Sequence, residues 1–459
     1  MKQINRREFL KTSGAAAAFA ATPGAAFAQG VGGGAPFDDY RALVCVFLFG
    51  GNDSFNMVVP RSDAEYGVYA NARNELAVAQ ADLLAIDPLI SDDVLYGLHP
   101  SMGSLRNLFD TEAAAIVSNV GPLIEPTTKD QFFNKNVALP PQLFSHNDQQ
   151  DQWMTLRGRN SSKTGWAGRM ADLIRSNVAN QQMATNSSLF GTNSLQAADE
   201  TVAYVMGPDG PQEFAYMSSD PADGILYEQA QAFGRIIGAE YTSIYERGFA
   251  AVQQRAIDSA ETVNAAINSA EANAVTAYFP QQGPTRSQLM IQLETVAKLI
   301  AARDQLQMDR QVFFVATGGF DSHDDQNQNQ PGLLGDVSES MAAFYNATVG
   351  ISIADSVTTF TQSDFGRTLT SNGDGSDHAW GGNQLVLGGG VKGRHIYGDY
   401  PLLQIGGDDD VGGGRMIPTT SADQYAATLA KWFGIPDVDL DLVAPHIDNF
   451  MQRDLDFMV

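Results

Sequence analysis

Short runs of consecutive apolar residues recur along the chain, and each ends in a loop rich in glycine, aspartate or asparagine. The first run, 42–49, ends at Gly50-Gly51-Asn52-Asp53. Apolar residues at successive positions predict strands that are buried on both faces, as in parallel sheets. Further segments of apolar or β-branched residues that end in a loop occur at 113–119, 311–317, 357–362 and 384–387. We therefore expect five buried strands at these positions.

Segments with helical periodicity lie between these strands. Residues 101–110 precede the second strand, and residues 334–348 lie between the third and the fourth. Apolar residues recur every three or four positions over 228–267 and again after Pro284, which is typical of helices with one polar face. Near the end, Ser421 predicts an N-cap for a helix over 422–433 that Gly434 closes. This alternation predicts an α/β fold with a doubly wound, mostly parallel sheet flanked by helices.

The same reading divides the chain into three parts. Residues 1–28 form an export signal and residues 29–40 a glycine-rich tether. We expect residues 41–459 to form one α/β domain. Residues of about 178–283 have weak strand signals and no chemical motif, and we interpret them as a partly helical insertion.

The N-terminus has the three parts of a signal peptide. A polar, basic start, Asn5-Arg6-Arg7-Glu8-Phe9-Leu10-Lys11, precedes an alanine-rich stretch, and Ala26-Phe27-Ala28 offers a cleavage site. The pattern closely resembles a twin-arginine signal, so the twin-arginine export machinery is an expected partner and the protein is expected to be periplasmic or secreted. The alanine-rich stretch is too short to span a bilayer stably, and no later stretch is long and apolar enough, so we expect no stable membrane insertion.

The composition excludes several classes of protein. The 459 residues include one cysteine, which excludes a disulfide framework and any cysteine-rich metal site. We expect this residue, Cys45, to be a buried strand residue rather than a nucleophile. Lysine and arginine number 28 against 53 acidic residues, which gives a formal charge of −25. Nucleic acid and anionic lipid repel such a surface, so neither is an expected partner.

Candidate chemistry lies where the predicted strands end. Asp53, Asp321 and Asp364 each follow such a strand, and ligands bind at the carboxyl ends of parallel strands. His323 and His378 lie close to these residues in the sequence. Carboxylates with neutral imidazoles suit zinc, manganese or iron better than calcium. Taken singly, each aspartate could equally be a helix cap or a turn residue, but the combination predicts a divalent metal site.

Several motifs together resemble a known family. They are GGND, FSH, GGFDSH, SDFGRT, DHAWGG and the closing PTTSADQYAATLAKWFG. In this order they resemble an uncharacterised family of twin-arginine-exported bacterial proteins with a domain of unknown function. Its members are often labelled sulfatase-like and are placed in the alkaline phosphatase superfamily. The resemblance implies an α/β sandwich that holds up to two metal ions.

The resemblance also implies roles for single residues. Asp53 matches the first metal-binding aspartate, and Asp321 matches the aspartate of a D-x-x-x-H pair, with His323 the nearest imidazole. Asp364 matches the aspartate of an S-D-H-G motif, and His378 matches the last metal-binding histidine.

Two departures from the superfamily pattern affect the expected number of ions. Phe365 stands where the superfamily has a histidine next to Asp364, so one ion loses an imidazole. The spacing between Asp321 and His323 is D-x-H rather than D-x-x-x-H. One ion, or an altered pair, is therefore as plausible as two zinc ions.

The resemblance places a nucleophile at the N-terminus of a helix. Ser145 is the candidate, with His146 as a ligand, an acid/base or a substrate contact; the alternative is that Ser145 only caps the helix. Ser101 is a rival at another helix start. No C-x-P-x-R or S-x-P-x-R segment occurs, which disfavours a formylglycine sulfatase. Arg367 either clamps an anionic oxygen of the substrate or forms an ion pair that orients the Asp364 loop.

Two functions follow as expectations. The first is an exported metal-dependent hydrolase of phosphate or sulfate esters, with a small anionic ester as substrate and one or two zinc or manganese ions as cofactor. The second is an exported binding or assembly protein that keeps the alkaline phosphatase-like fold without turnover.

Overall fold

The computed structural model describes residues 37–90, 93–159, 163–211, 218, 220–283 and 286–459. The expected signal peptide, 1–28, and most of the expected tether, 29–40, lie outside the described residues. The described residues form one compact unit that begins at Phe37.

Fourteen strands and fourteen α-helices are present in the described residues. The strands are β1 Arg41–Leu48, β2 Val58–Pro60, β3 Leu84–Ile86, β4 Tyr96–Leu98, β5 Ala114–Gly121, β6 Asn186–Ser188, β7 Tyr204–Val205, β8 Arg310–Thr317, β9 Val357–Ser363, β10 Arg367–Ser371, β11 Ser376–His378, β12 Gly382–Leu387, β13 Ile396–Tyr397 and β14 Thr420–Ser421. The α-helices are α1 Ser54–Met57, α2 Asp63–Arg73, α3 Gly103–Asp110, α4 Lys129–Asn134, α5 His146–Thr155, α6 Trp166–Ile174, α7 Ile225–Ile237, α8 Ile244–Ile267, α9 Ala270–Ala274, α10 Gln288–Ala301, α11 Arg303–Leu306, α12 Gln326–Gly350, α13 Ala422–Phe433 and α14 Leu440–Val443. Short 3₁₀ helices lie at Asn74–Leu76, Pro221–Asp223, Val275–Tyr278, Ala354–Ser356, Asp437–Asp439 and Ile447–Asn449.

Nine of the described strands form one sheet. Its order is β13-β5-β12-β9-β1-β8-β6-β7, and β14 also pairs with β5. Strand β1 pairs in parallel with both β8 and β9, whereas β12 runs antiparallel to its neighbours β5 and β9. The fold is therefore α/β with a parallel-dominated sheet flanked by helices, as the alternation of elements predicts.

Side chains alternate between two cores on the two faces of the sheet. On β1, Val44 and Val46 join one core together with helices α3, α10 and α12. Cys45 and Phe47 join the other core, together with helices α6 and α13. Because both faces are covered, every position of this strand after the first is buried, which explains its continuous apolar run. Cys45 is a free, fully buried thiol whose pKa is raised by burial, as a strand residue should be.

Some elements differ from the sequence-based expectations. The helical pattern over 228–267 forms two helices, α7 and α8, rather than one. The region of about 178–283 also contributes β6 and β7 to the main sheet, in addition to its helices. A three-stranded sheet of β2, β4 and β3 and a β10–β11 hairpin were not expected, because such short strands leave little periodic signal.

Helix α13 begins and ends as its sequence predicts. The Ser421 hydroxyl accepts from the backbone N–H of Asp423, and the Gln424 side chain accepts from the backbone N–H of Ser421, which together make a capping box. Gly434 follows the last residue of the helix with a φ of 120°. The helix thus packs against the sheet with a fixed start and a fixed end.

The first turn of α13 contains a buried carboxyl group that makes stability depend on pH. Burial raises the pKa of Asp423 to about 7 from its usual 3.8, against the hydrogen bond from the backbone N–H of His446 and the charge of Arg169. Because the folded pKa is raised, this contribution to stability is fully present below the unfolded pKa. It is lost as the pH rises through about 7.

We expect the Asp423→Asn variant to lose this pH dependence while keeping an oxygen that can accept from His446. Between the two pKa values, the free energy of unfolding of the wild type should fall relative to the variant by up to roughly 1.4 kcal/mol per pH unit. Urea unfolding of both proteins from pH 5 to pH 8 measures the difference. Parallel pH profiles for the two proteins would contradict the assignment.

Candidate metal centre

Three neighbouring parallel strands end at one edge of the sheet. Leu48, at the end of β1, is opposite Thr317 of β8 and Ser363 of β9. The loops that carry Asp53, Asp321 and Asp364 therefore start side by side, as the sequence predicts. Their side chains nevertheless have three different environments.

The Asp321 carboxylate lies at the centre of a cluster of imidazoles. Its Oδ1 is 3.1 Å from Nε2 of His323, 3.3 Å from Nε2 of His378 and 3.5 Å from Nε2 of His146. Arg367 donates to the same oxygen at 2.9 Å. We call His146, His323 and His378 around Asp321 the imidazole cluster.

Helix α5 delivers His146 to this cluster. The imidazole Nδ1 donates to Oδ2 of Asp364 at 2.6 Å, since an ionised carboxylate can only accept. Gln150, one helical turn later, donates to the same oxygen at 2.8 Å. The two residues are four positions apart, so they lie on the same face of the helix. With Nδ1 engaged, Nε2 of His146 faces Asp321.

His378 is oriented in a similar way by a backbone carbonyl. Its Nδ1 lies 2.9 Å from the carbonyl oxygen of Phe144. A carbonyl can only accept, so Nδ1 carries the hydrogen and Nε2 of the neutral ring presents a lone pair. Partial burial is the main cause that lowers the pKa of His378, against the hydrogen bond to Phe144. The neutral form is therefore favoured.

His323 lies at the exposed side of the cluster. Its Nδ1 is 3.3 Å from Oδ1 of Asp377, and its Nε2 is 2.9 Å from Nε2 of His378. Two ring nitrogens at this distance repel each other unless a proton or another cation lies close to them.

The cluster thus brings together several atoms that can accept a hydrogen bond or bind a cation. His146, Asp321 and His378 can each bring one ligand atom within 4.8 Å of the others. Histidine ligands of metals usually donate their other ring nitrogen to a carboxylate or a carbonyl, as His146 and His378 do here. Partial burial raises the pKa of Asp321, but the net shift is downward. The pKa is lowered by the hydrogen bond and charge of Arg367 and by the imidazoles of His146 and His323. The residues present therefore fit a divalent cation.

Asp364 contacts the cluster from the buried side, through His146. Its side chain is fully buried, and burial raises its pKa, although the hydrogen bonds from Gln150 and His146 oppose the shift. Its Oδ2 accepts from His146, Gln150 and the backbone N–H of Gly50, while Oδ1 is buried without a hydrogen-bond partner among the described residues. Asp364 was expected to be a ligand, but here it orients the imidazole of His146.

Asp53 lies in a different environment from the one expected of a ligand. Its Oδ2 forms an ion pair with Arg73 and accepts from Gln326, and all three side chains are buried. Arg73 is the last residue of helix α2, twenty positions after Asp53. The guanidinium supplies the positive charge that a metal ion was expected to supply, so the imidazole cluster does not include this carboxylate.

The expected catalytic residues are also partly engaged. The Ser145 hydroxyl does not cap helix α5 but donates to Asp148 at 2.6 Å. The rival, Ser101, precedes helix α3, and its backbone N–H donates to His99. Arg367 is fully buried and forms an ion pair with Asp321; an ion pair was one of the two alternatives stated.

Four residues at the site were missed by the sequence analysis. They are Arg73, Gln150, Gln326 and Asp377. The spacing of Gln150 after His146 was a usable signal, because residues four apart on a helix share a face. No signal marked Arg73 or Gln326, because their partners are far away in the sequence.

A phenyl ring packs against two imidazoles of the cluster. The ring centroid of Phe365 is 4.8 Å from that of His146 and 4.6 Å from that of His378. Gly51 lies against the same ring with a φ of 86°. The residue that replaces the expected second histidine therefore restricts both rings by contact.

The fold and the site define an α/β protein with an imidazole–carboxylate centre at the carboxyl ends of its central strands. Residues 40–411 match the family described as "Protein of unknown function (DUF1501)", and the chain belongs to this family. Residues 3–23 match the twin-arginine translocation pathway signal. The protein is therefore exported across the membrane and is periplasmic or secreted. Among the described residues, no helix is long and apolar enough to cross a bilayer.

Solved structures with a similar arrangement of chain are distant. Ps i-CgsB is 10% identical, with a TM-score of 0.35, and the alignment covers 90% of this chain and 77% of that one. The same protein in complex with k-i-k-neocarrahexaose is 10% identical, with a TM-score of 0.32, and the alignment covers 88% of this chain and 74% of that one. PsFucS1 sulfatase from Pseudoalteromonas sp. is 8% identical, with a TM-score of 0.35, and the alignment covers 87% of this chain and 68% of that one. Scores this low carry no argument about chemistry, and no curated protein matches the sequence.

The contact between Gly51 and Phe365 can be tested with one added methyl group. In Gly51→Ala, the new Cβ would collide with the Phe365 ring, and the left-handed backbone adds about 1–2 kcal/mol of strain. We expect a lower free energy of unfolding in urea and weaker zinc binding, because the ring that packs on both imidazoles must move.

Gly67→Ala is the matched control. Gly67 lies inside helix α2, and a Cβ there meets nothing within 4 Å. Alanine should stabilise this helix by about 0.5–1 kcal/mol and leave zinc binding unchanged. Equal zinc affinity in the two variants would show that the Phe365 contact has no effect on the centre.

Proposed function

We propose that the protein is an exported hydrolase of phosphate or sulfate esters that depends on one divalent metal ion. The observation that carries this proposal is the convergence of the three Nε2 atoms of His146, His323 and His378 on Oδ1 of Asp321. The resemblance to the alkaline phosphatase superfamily stated above points to the same reaction class.

His146, Asp321 and His378 are the proposed ligands of the ion. Two imidazoles and one carboxylate suit zinc, and manganese is the next candidate, because both accept nitrogen and oxygen ligands. Three protein ligands also leave a coordination position for substrate or water, as in catalytic zinc sites. About half of the Asp321 side chain is exposed, so the centre is open to solvent.

Two observations favour one ion over two. The Asp53 carboxylate, expected at a metal site, is neutralised by the buried guanidinium of Arg73. Phe365 supplies a phenyl ring where the superfamily has an imidazole, and this ring packs on His146 and His378. A second ion would lack both ligands.

Each side chain then has a specific task. Arg367 holds Oδ1 of Asp321 in place, and Asp364 holds Nδ1 of His146 so that Nε2 faces the centre. A divalent cation held by His146, Asp321 and His378 would supply Lewis acidity toward an ester oxygen and a water molecule. We assign to His323, at the exposed side of the cluster, the role of accepting or donating a proton at Nε2.

The substrate is proposed to be a small anionic ester. The chain has a formal charge of −25, so an anion is attracted only where positive charge is concentrated. Arg415 adds such charge beside the cluster: its Nε donates to the carbonyl oxygen of His378 at 3.0 Å, and its guanidinium lies 5.3 Å from the centre of the Phe144 ring.

A second candidate is an exported binding or assembly protein without turnover. The Ser145 hydroxyl is engaged by Asp148, and Arg367 is fully buried with its donors on Asp321, Gly50 and Ser376. Two of the three residues expected to act on a substrate, Ser145 and Arg367, therefore have their polar side-chain atoms engaged by groups of the protein itself. This candidate also binds a metal ion but hydrolyses no ester.

Metal analysis of the mature protein and of single variants tests the proposal. We expect about one zinc or manganese ion per chain in the wild type and a loss of metal in His146→Ala and His378→Ala. Hydrolysis of para-nitrophenyl phosphate or para-nitrophenyl sulfate should fall roughly 100-fold or more, because Lewis-acid stabilisation amounts to several kcal/mol. His395→Ala removes an imidazole whose Nδ1 donates to the carbonyl oxygen of Gly393, outside the imidazole cluster; this variant is the control and should keep both metal and activity.

The two candidates give different results in this experiment. A wild type without stoichiometric metal would remove the metal-dependent hydrolase. A wild type that holds one ion but hydrolyses neither ester class after reconstitution would favour the binding protein.

A further inference from the structure

A chain of buried hydrogen bonds leads from the Asp53–Arg73 ion pair to the imidazole cluster. Gln326 donates from Nε2 to Oδ2 of Asp53, and its Oε1 accepts from the hydroxyl of Ser376 at 2.5 Å. The same hydroxyl accepts from Nε of Arg367 at 3.2 Å. We call these five residues the hydrogen-bond chain. Each of their side chains is buried.

The direction of every hydrogen bond in this chain is determined by chemistry. A guanidinium can only donate and an ionised carboxylate can only accept, so both ends are fixed. The amide of Gln326 must then turn its nitrogen to Asp53 and its oxygen to Ser376. The Ser376 hydroxyl in turn must donate to Gln326 and accept from Arg367. One arrangement makes all of these hydrogen bonds at once, while Oδ1 of Asp53 is buried without a hydrogen-bond partner among the described residues.

The chain fixes the plane of the Arg367 guanidinium. Nε and Nη2 donate to the hydroxyl and the carbonyl oxygen of Ser376, so the group is held along one edge. Nη1 then donates to the carbonyl oxygen of Gly50 at 3.0 Å and to Oδ1 of Asp321 at 2.9 Å. Because all these donors are buried, a rotated guanidinium would leave some of them unpaired at a cost of about 1–3 kcal/mol each.

The Asp53–Arg73 end of the hydrogen-bond chain is also fixed by several hydrogen bonds. Arg73 donates to Asp53, to Oδ1 of Asn56 and to the carbonyl oxygen of Thr368, the residue that follows Arg367. The Asp53 backbone carbonyl accepts from Gln330, one helical turn after Gln326. The ion pair therefore anchors helix α12 and strand β10 to the loop after β1.

We propose that Gln326 and Ser376 are positioning residues for the metal centre. They act through Arg367, which aims its Nη1 at the one carboxylate oxygen that all three imidazoles approach. This inference rests on the proposed function, because it takes Asp321 as a metal ligand. Partners that orient a ligand in this way are usually worth about 10–100-fold in metal affinity.

Two variants of the chain and two matched controls test the proposal. Gln326→Leu and Ser376→Ala each break the hydrogen-bond chain without touching a proposed ligand. Gln292→Leu and Ser338→Ala remove a glutamine and a serine that are equally buried. The Gln292 amide bonds to the backbone of Ala316 at the end of β8, and the Ser338 hydroxyl accepts from the backbone N–H of Leu105.

The readouts are the zinc affinity of the metal-free full-length mature protein, measured by competition with a chromogenic chelator, and the urea midpoint. We expect all four variants to lose stability, but only Gln326→Leu and Ser376→Ala to bind zinc about 10–100-fold more weakly. The double variant Gln326→Leu/Ser376→Ala should lose no more affinity than the worse single variant, because the chain acts as a unit.

The outcomes separate this inference from the proposed function. Zinc binding within about threefold of the wild type in both chain variants, or equal losses in the controls, overturns the positioning role and leaves the metal centre standing. A wild type that does not bind zinc or manganese overturns both. If Gln326→Leu does not fold, Ser376→Ala alone decides, since it removes a single oxygen atom.

Discussion

The site depends on the in-register pairing of one strand with its two neighbours. Strand β1 is hydrogen-bonded to β8 on one side and to β9 on the other, and Leu48 is opposite the last residue of each. Adjacent strands are about 4.8 Å apart, so the loops after β8 and β9 each leave the sheet about 4.8 Å from the loop after β1 and about 10 Å from each other. A shift of two residues in either pairing would move one loop by about 7 Å and separate Asp321 or Asp364 from the imidazoles.

Much of the fold could be predicted from the sequence because its central strands are buried on both faces. The runs at β1 and β8 are apolar over most of their length, whereas β9, with the sequence VTTFTQS, is equally buried but rich in threonine. Strands of three residues, such as β2 and β4, carry no such signal, because their pairing depends on partners elsewhere in the chain. The antiparallel direction of β12 could not be predicted either, since an apolar run does not show whether a strand pairs in parallel or antiparallel.

The site was predicted as a set of residues but not as a set of roles. Asp53, Asp321 and Asp364 share one edge, as expected, yet a carboxylate's role depends on which side chain reaches it. Arg73 reaches Asp53 from the end of helix α2, and His146 reaches Asp364 across 218 positions of sequence. Such contacts are set by how helices pack on the sheet, and nothing in the residue spacing encodes that packing. Only the pair His146 and Gln150 left a local trace.

Three carboxylates at one sheet edge are tolerated because each is compensated differently. Two such charges 4 Å apart repel by about 4 kcal/mol at an effective dielectric constant of about 20. Asp53 is neutralised by a permanent guanidinium, and Asp364 is buried with a raised pKa against an imidazole donor. Both of these carboxylates are buried. Asp321 differs, because half of its side chain is exposed and its other neighbours are imidazole nitrogens that can act as acceptors. Arg367 also donates to Asp321, but this carboxylate is the one that is both exposed and approached by imidazole nitrogens, which is why the proposed cation is assigned to it.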